Sequence, residues 1–367
     1  MTPTLTLRDL NRAILARQML LAREKIAPLA AVERLFAIQA QWPKPPFIAL
    51  WSRLQGFSRE PLLELLRSRK LVRGTLMRAT IHLVTATDYL RVRPALQPSF
   101  TRFMGTILKG GLERLDLARV LSTGRKTFAE RPRTFGELRE AVAARHPGLD
   151  PRAIGFSVRM QLPLVQVPDA SDWGFPGDAN FALAERWIGK RVPGKRASLA
   201  DLVLRHLSIL GPASVAEMQA WLGLQGLREV VESLRPRLLE LRDSRGRELF
   251  DLPKAPRPPG DTPAPVRFLP EFDNPIVCRA DERFVAAAHR ARIYLSGLRV
   301  LGTVLVDGFA AAIWQVRRKK SAATVVVEAF APLSRRQKDA IAEEGEPLLR
   351  FLEPGATALE VKFGKLG

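Results

Sequence analysis

The chain has a single cysteine, Cys278, in 367 residues. An intrachain disulfide is therefore impossible and a thiolate metal cluster is excluded, which points to a reducing compartment. Histidine is scarce as well: His82, His146, His206 and His289 are far apart in sequence. There is no H-E-x-x-H pair, no Gly-rich phosphate loop and no G-x-S-x-G elbow, so neither metal nor nucleotide cofactor is expected. No run approaches the roughly 18 apolar residues of a membrane span. The segment 1–23 lacks the unbroken apolar core of a signal peptide and reads as an amphipathic helix carrying Arg8, Arg12, Arg17 and Arg23. A cytoplasmic protein is the expectation.

Acidic residues are the other deficit. Asp and Glu number 37 against 58 Lys and Arg, a formal charge of +21 spread along the chain. Such an excess suits a polyanion, whose phosphates release counterions when neutralised; the competing explanation is the Arg-rich usage of a high-GC genome. Hydrophobic residues at 46% and charged residues at 26% are the balance of a folded protein. The length accommodates two to four domains at roughly 100–200 residues each.

The periodicity along the chain predicts an α+β fold, mainly helical. Helical spacing covers 7–21 and 30–38, and Pro43, Pro45 and Pro46 end the second helix. Further helices are expected over 47–54, 61–68 and 88–96, with a turn at 105–111. Between them the period over 71–84 changes to 2, placing Arg78, Thr80 and His82 on one exposed strand face opposite Met77, Ala79, Ile81 and Leu83. Thr134 with Glu137 and Ser214 with Glu217 form capping boxes at the start of two later helices, followed by strand-like runs at 161–167 and 238–252. Three winged-helix units follow from this pattern, at 1–104, 112–190 and 195–252. Six prolines within 253–265 make an extended linker or strap. Residues 266–367 form a β-rich C-terminal α+β domain, with a hairpin turn at Asp307-Gly308, strands at 324–329 and 358–363 and a helix over 334–351.

The segment Gln39-Ala-Gln41-Trp42-Pro43 sits where the second helix must stop. Pro43 biases the preceding residue away from helix, and in an extended segment residues two apart share a face. Two amides aimed at one place could hold a water through their carbonyls and touch sugar or phosphate through their NH2 groups. They cannot accept a proton as a carboxylate does, so only a bond already primed to break is within reach. From spacing alone, a helix-capping or solvent-facing role is the commoner explanation.

Phe36-Ala-Ile-Gln-Ala-Gln-Trp-Pro, Ile48-Ala-Leu-Trp-Ser-Arg-Leu, Leu71-Val-Arg and Met77-Arg-Ala-Thr-Ile-His-Leu-Val together resemble the tandem winged-helix family that includes the AlkZ-type DNA glycosylases. Arg267-Phe-Leu-Pro-Glu-Phe-Asp and Val304-Leu-Val-Asp-Gly-Phe with Trp314 resemble that family's closing domain. The resemblance spans nearly the whole chain. It implies three winged-helix units with a β-rich C-terminal domain, and a catalytic motif that is here Gln39-x-Gln41. It also implies the branch that excises bulky alkylguanine adducts and interstrand crosslinks. One departure is Ala79, where the family often has Gly.

On this reading a nucleoid-associated monomer binds double-stranded DNA containing alkylated bases and hydrolyses the N-glycosidic bond of N7- or N3-alkylated purines, with Gln39 and Gln41 catalytic and no lysine nucleophile. DNA contacts are expected at Arg73, Arg78, Thr80, His82 and Trp42 and at the basic run Arg317, Arg318, Lys319 and Lys320, although an exposed wing strand or basic loop explains several equally well. Asp273 and Asp307 are expected to shape turns, and Trp51 and Trp314 to be core. A non-catalytic regulator or lesion sensor is the rival reading. Binding of structured RNA fits the charge too, without an aromatic stacking motif to favour it.

Overall fold

The chain start sets the frame. In the computed structural model, residues 3–109, 115–145, 147–189, 197–277 and 281–366 are described, so His146 and Cys278 lie outside the described residues. The expected opening helix is shorter: Thr4–Leu5 is a strand, and the helix spans Leu7–Arg17. Thr6 starts it with a capping box, its Oγ1 accepting from the Asp9 N–H while the Asp9 carboxylate accepts from the Thr6 N–H.

Two of its arginines are not the surface charges they resemble in the sequence. Arg17 is buried in a bidentate pair with Asp251 at 2.7 and 2.8 Å. Arg12, also buried, pairs with Asp307 and donates to the Thr262 carbonyl at 2.7 Å. The proline-rich segment 253–265 runs beside this helix as a strap, the Gly260 N–H donating to Asp9 at 2.8 Å and Arg8 returning a bond to the Gly260 carbonyl. Thr4–Leu5 pairs in parallel with Leu239–Asp243, which pairs with Glu248–Asp251.

The second helix is Pro28–Arg34 and stops four residues before the sequence pattern suggests. Residues Ile38–Gln39 are already a strand. They open a five-stranded sheet in the order Ile38–Gln39, Ile81–Thr85, Leu71–Thr75, Leu164–Gln166, Phe181–Leu183, antiparallel throughout. The hairpin of 71–85 is thus interior to a sheet whose faces carry two apolar clusters, one with Val72, Val84 and Val165, the other with Leu71, Ile81 and Leu83.

That burial overturns the expected exposed strand face. Every residue of Ile81–Thr85 is buried, and Met77–Ala79 forms a single tight turn rather than strand. Arg78, Thr80 and His82 therefore do not share a strand face. The period-2 pattern runs across two strands and the turn between them.

The capping boxes at Thr134 with Glu137 and at Ser214 with Glu217 form as expected. Helix Gln97–Leu108 runs through Gly105, where a turn was expected to begin, and 110–114 lie outside the described residues. The C-terminal part is a mixed sheet ordered Ala358–Phe363, Ala322–Ala329, Phe309–Lys319, Thr303–Val306, Arg267–Leu269, with helix Arg335–Leu352 packed on it. Its hairpin turns at Asp307 and Gly308, φ 49° and 81°, the positive pair a two-residue turn requires.

Candidate active site

The end of the second helix delivers the glutamines in extended backbone. Gln39 is a strand residue, and the Ala40 N–H donates to the Ile81 carbonyl at 2.7 Å, continuing the ladder by one residue. Trp42 then leaves the sheet, 58% exposed.

Both amides are held by groups that can only donate. Arg78 Nη2 donates to Gln39 Oε1 at 2.7 Å, and the Ile81 N–H donates to Gln41 Oε1 at 2.9 Å. Because a guanidinium and a backbone N–H offer no acceptor, each amide is fixed with its oxygen toward the protein. Neither NH2 group has a hydrogen-bond partner among the described residues. Each carbonyl oxygen keeps one lone pair beyond the bond it makes.

Two arginines lock this segment, in ways the sequence reading did not anticipate. Arg73 is buried, donating through Nε to the Ala40 carbonyl at 2.9 Å and through Nη2 to the Gln41 carbonyl at 3.1 Å. Burial, with the nearby Arg159 charge, pulls its guanidinium down to about 9. It clamps the backbone of the motif, and in this position it is not a surface contact for phosphate. Arg78 also donates to the Trp221 carbonyl at 2.8 Å, tying the turn to helix Val215–Leu222. Gly223, at φ 69°, ends that helix so close to the turn that a Cβ there would meet the Arg78 N at 3.0 Å.

His82 lies opposite Gln39 in the ladder and is fully buried. Its Nδ1 lies 3.0 Å from the Thr80 carbonyl. Burial, and then the Arg78 charge, push the imidazole down to about 3, so it is neutral and Nδ1–H is the donor. Nε2 is buried without a partner. As the protein stands, His82 does not reach its surface; Thr80, half-buried, closes the turn through Oγ1 to the Met77 carbonyl.

Of the remaining candidates, Arg317, Arg318, Lys319 and Lys320 form the exposed end of a hairpin, with Arg318 paired to Glu353 at 3.2 Å. They are at the end of a C-terminal hairpin, and among the described residues no hydrogen bond or ion pair joins them to the glutamines. Trp51 and Trp314 are core, as expected. Asp307 occupies its turn and also pairs with Arg8 and Arg12; Asp273 is buried in a bidentate pair with Arg53. Sequence reasoning missed the groups that share a cleft with Trp42. A cavity of about 390 Å³ is lined by Trp42, Lys44, Glu271 and Trp314 among others, and an adjoining hollow of about 150 Å³ by Trp42, Glu271 and Arg299. Nothing in the spacing links 42 to 271.

No curated protein sequence matches the chain. Among solved structures, the Streptomyces sahachiroi DNA glycosylase AlkZ superposes with a TM-score of 0.78 at 19% identity, covering 98% of this chain and 100% of that one. At that identity the likeness shows the fold. A family profile described as DNA glycosylase AlkZ-like matches residues 32–351, a span that holds the Gln39-x-Gln41 segment, both arginine clamps and most of the C-terminal sheet, and the chain belongs to the AlkZ-like DNA glycosylase family.

Proposed function

We propose that the protein is a monofunctional DNA glycosylase that releases cationic N7- or N3-alkylated purines from double-stranded DNA, bulky adducts and crosslinked guanines included, with Gln39 and Gln41 as its catalytic pair. The observation that supports this is the extended Gln-Ala-Gln segment, clamped by Arg73 and Arg78, with both amide NH2 groups left for a ligand.

The chemistry suits two neutral amides. An alkylated purine leaves as a neutral base, so the glycosidic bond breaks without a strong acid and the sugar develops oxocarbenium character. Water adds to the anomeric carbon and its proton passes to solvent. The remaining carbonyl lone pairs orient that water, and the NH2 groups hold sugar or phosphate oxygens. No lysine attacks, so no strand cleavage follows. Winged-helix units at 1–104, 112–190 and 195–252 grip the duplex as a monomer, with 253–265 as linker and 266–367 closing the fold. The basic run 317–320 adds DNA backbone contacts, and Trp42 contacts the damaged base.

A second reading, a DNA-binding regulator or lesion sensor without catalysis, is favoured by one observation: both Oε1 atoms already hold structural bonds. Incubation with duplex carrying 7-methylguanine separates the two. Release of free base without strand scission is expected. Persistence of that release in the Gln39→Ala, Gln41→Ala double variant at the native rate would sink the catalytic assignment.

A further inference from the structure

Trp42 directly follows the Gln39-x-Gln41 segment and exposes most of its ring, although large aromatic surfaces are ordinarily covered. Across the hollow from it stands Glu271, on the loop after strand Arg267–Leu269. This carboxylate is half-buried, yet it makes no hydrogen bond or ion pair with any described residue. Burial raises its pKa, an effect that the charges of Arg299 and Lys44 oppose from a distance. A half-buried carboxylate that no described residue pairs favours a donor-bearing group in the place beside it. The neighbouring cleft of about 390 Å³ holds on the order of ten water volumes, ample for a purine.

We infer that the cleft between Trp42 and Glu271 receives an extrahelical N7-alkylguanine, stacked on the Trp42 ring and held at its N1–H and 2-amino edge by the Glu271 carboxylate. The inference rests on the glycosylase reading and adds a recognition site to it. Two features of the ligand fit the two side chains. A purinium ring is a cation, which an indole face attracts. Guanine presents two adjacent donors on its Watson–Crick edge, which the two oxygens of a carboxylate accept together. An alkyladenine presents an acceptor, N1, at the middle of that edge and is repelled. The site therefore selects guanine adducts, and Glu271 is a specificity-determining residue remote in sequence from the catalytic pair.

The test uses the full-length protein and 2′-fluorinated duplexes, in which the glycosidic bond resists hydrolysis and the charge on the base is kept. Binding is compared for 7-methylguanine, for 7-methylhypoxanthine, which lacks the 2-amino group, and for the undamaged duplex. The native protein is expected to prefer 7-methylguanine by about tenfold over 7-methylhypoxanthine, a difference of about 1.4 kcal/mol. Glu271→Gln removes that preference, because its NH2 group opposes one base donor. Trp42→Leu, at an exposed position, weakens both adducted duplexes by about tenfold and leaves undamaged duplex within twofold. An unchanged preference in Glu271→Gln, or equal weakening of adducted and undamaged duplex in Trp42→Leu, overturns the site. Base release from hydrolysable 7-methylguanine duplex is measured in parallel. Its absence in the native protein counts against the glycosylase reading alone, since the binding comparison does not need turnover.

Discussion

Arg78 places its guanidinium 2.7 Å from Gln39 Oε1 from a turn in which its own backbone is left-handed, φ 56°. The same guanidinium reaches the Trp221 carbonyl at 2.8 Å, so one side chain ties the catalytic candidate to a helix more than a hundred residues away. Arg78→Ala should cost about 1.5–3 kcal/mol for its charge-assisted bonds. It should also lower the single-turnover rate of base release by more than tenfold, because Gln39 loses the donor that orients it. Thermal melting and rapid-quench kinetics read the two effects separately. Unchanged kinetics in a destabilised variant would show that Gln39 does not depend on Arg78.

Ala79, also left-handed at φ 57°, is in the tight turn, where a side chain is strained. The left-handed conformation costs an L-residue roughly 1–2 kcal/mol, part of which Gly returns as unfolded-chain entropy. Ala79→Gly should therefore be stabilising by up to about 1 kcal/mol, measured by urea unfolding. A loss of stability would mean that the methyl packs favourably enough to outweigh the strain.

His82 makes stability depend on pH. Its folded pKa of about 3 lies below the ordinary value of 6.5, so the unfolded chain binds the extra proton. The contribution is complete above about pH 6.5 and declines as pH falls toward 3, by at most about 1.4 kcal/mol per pH unit. Urea unfolding at pH 7 and pH 5 should show this decline in the native protein and a shallower one in His82→Asn. Equal declines in both would place the responsible titration elsewhere.

Asp251 is fully buried and accepts from both Arg17 and Arg257. Asp251→Asn leaves the Arg17 charge buried without its counter-charge, which should cost about 3–5 kcal/mol. The strap segment 253–265 should become more susceptible to limited proteolysis at the same time, since Arg17 also holds the Pro256 carbonyl. A variant that melts like the native protein would show that the pair adds nothing over its neutral replacement.

Substrate charge should decide turnover. Amides cannot ionise water, so the leaving base must carry most of the activation, with each 1.36 kcal/mol worth about tenfold in rate. Release is expected from N7-alkylguanine duplexes and more slowly from other cationic N7- and N3-alkylpurines, with little or none from uracil, 8-oxoguanine or 1,N6-ethenoadenine. Gln41→Asp should keep measurable release, because a carboxylate oxygen remains to orient the water, although the side chain is one methylene shorter than the one that now accepts from the Ile81 N–H. Uracil release at a comparable rate would reveal leaving-group activation that two glutamines do not provide.

The sequence alone determined whatever depends on near neighbours in the chain. Thr134 with Glu137 and Ser214 with Glu217 read as caps at three-residue spacing, and Asp307-Gly308 as a hairpin turn. Each is a local backbone preference that tertiary packing reinforces. Gln39 and Gln41 became legible through resemblance, and their extended backbone through Pro43.

What only the tertiary structure decided is which charges and polar groups are inside. Arg12, Arg17, Arg73 and His82 sit in patterns that resemble exposed helix or strand faces, and all four are buried. For Arg73 and His82 the reason is that apolar clusters cover both faces of the 71–85 hairpin, so neither face meets water and alternation of residue types no longer reports exposure. Trp42 and Glu271, separated by most of the chain, share a cleft only because the C-terminal sheet closes against the exit of the second helix. Burial and long-range proximity are properties of the packed chain, and no local spacing encodes them.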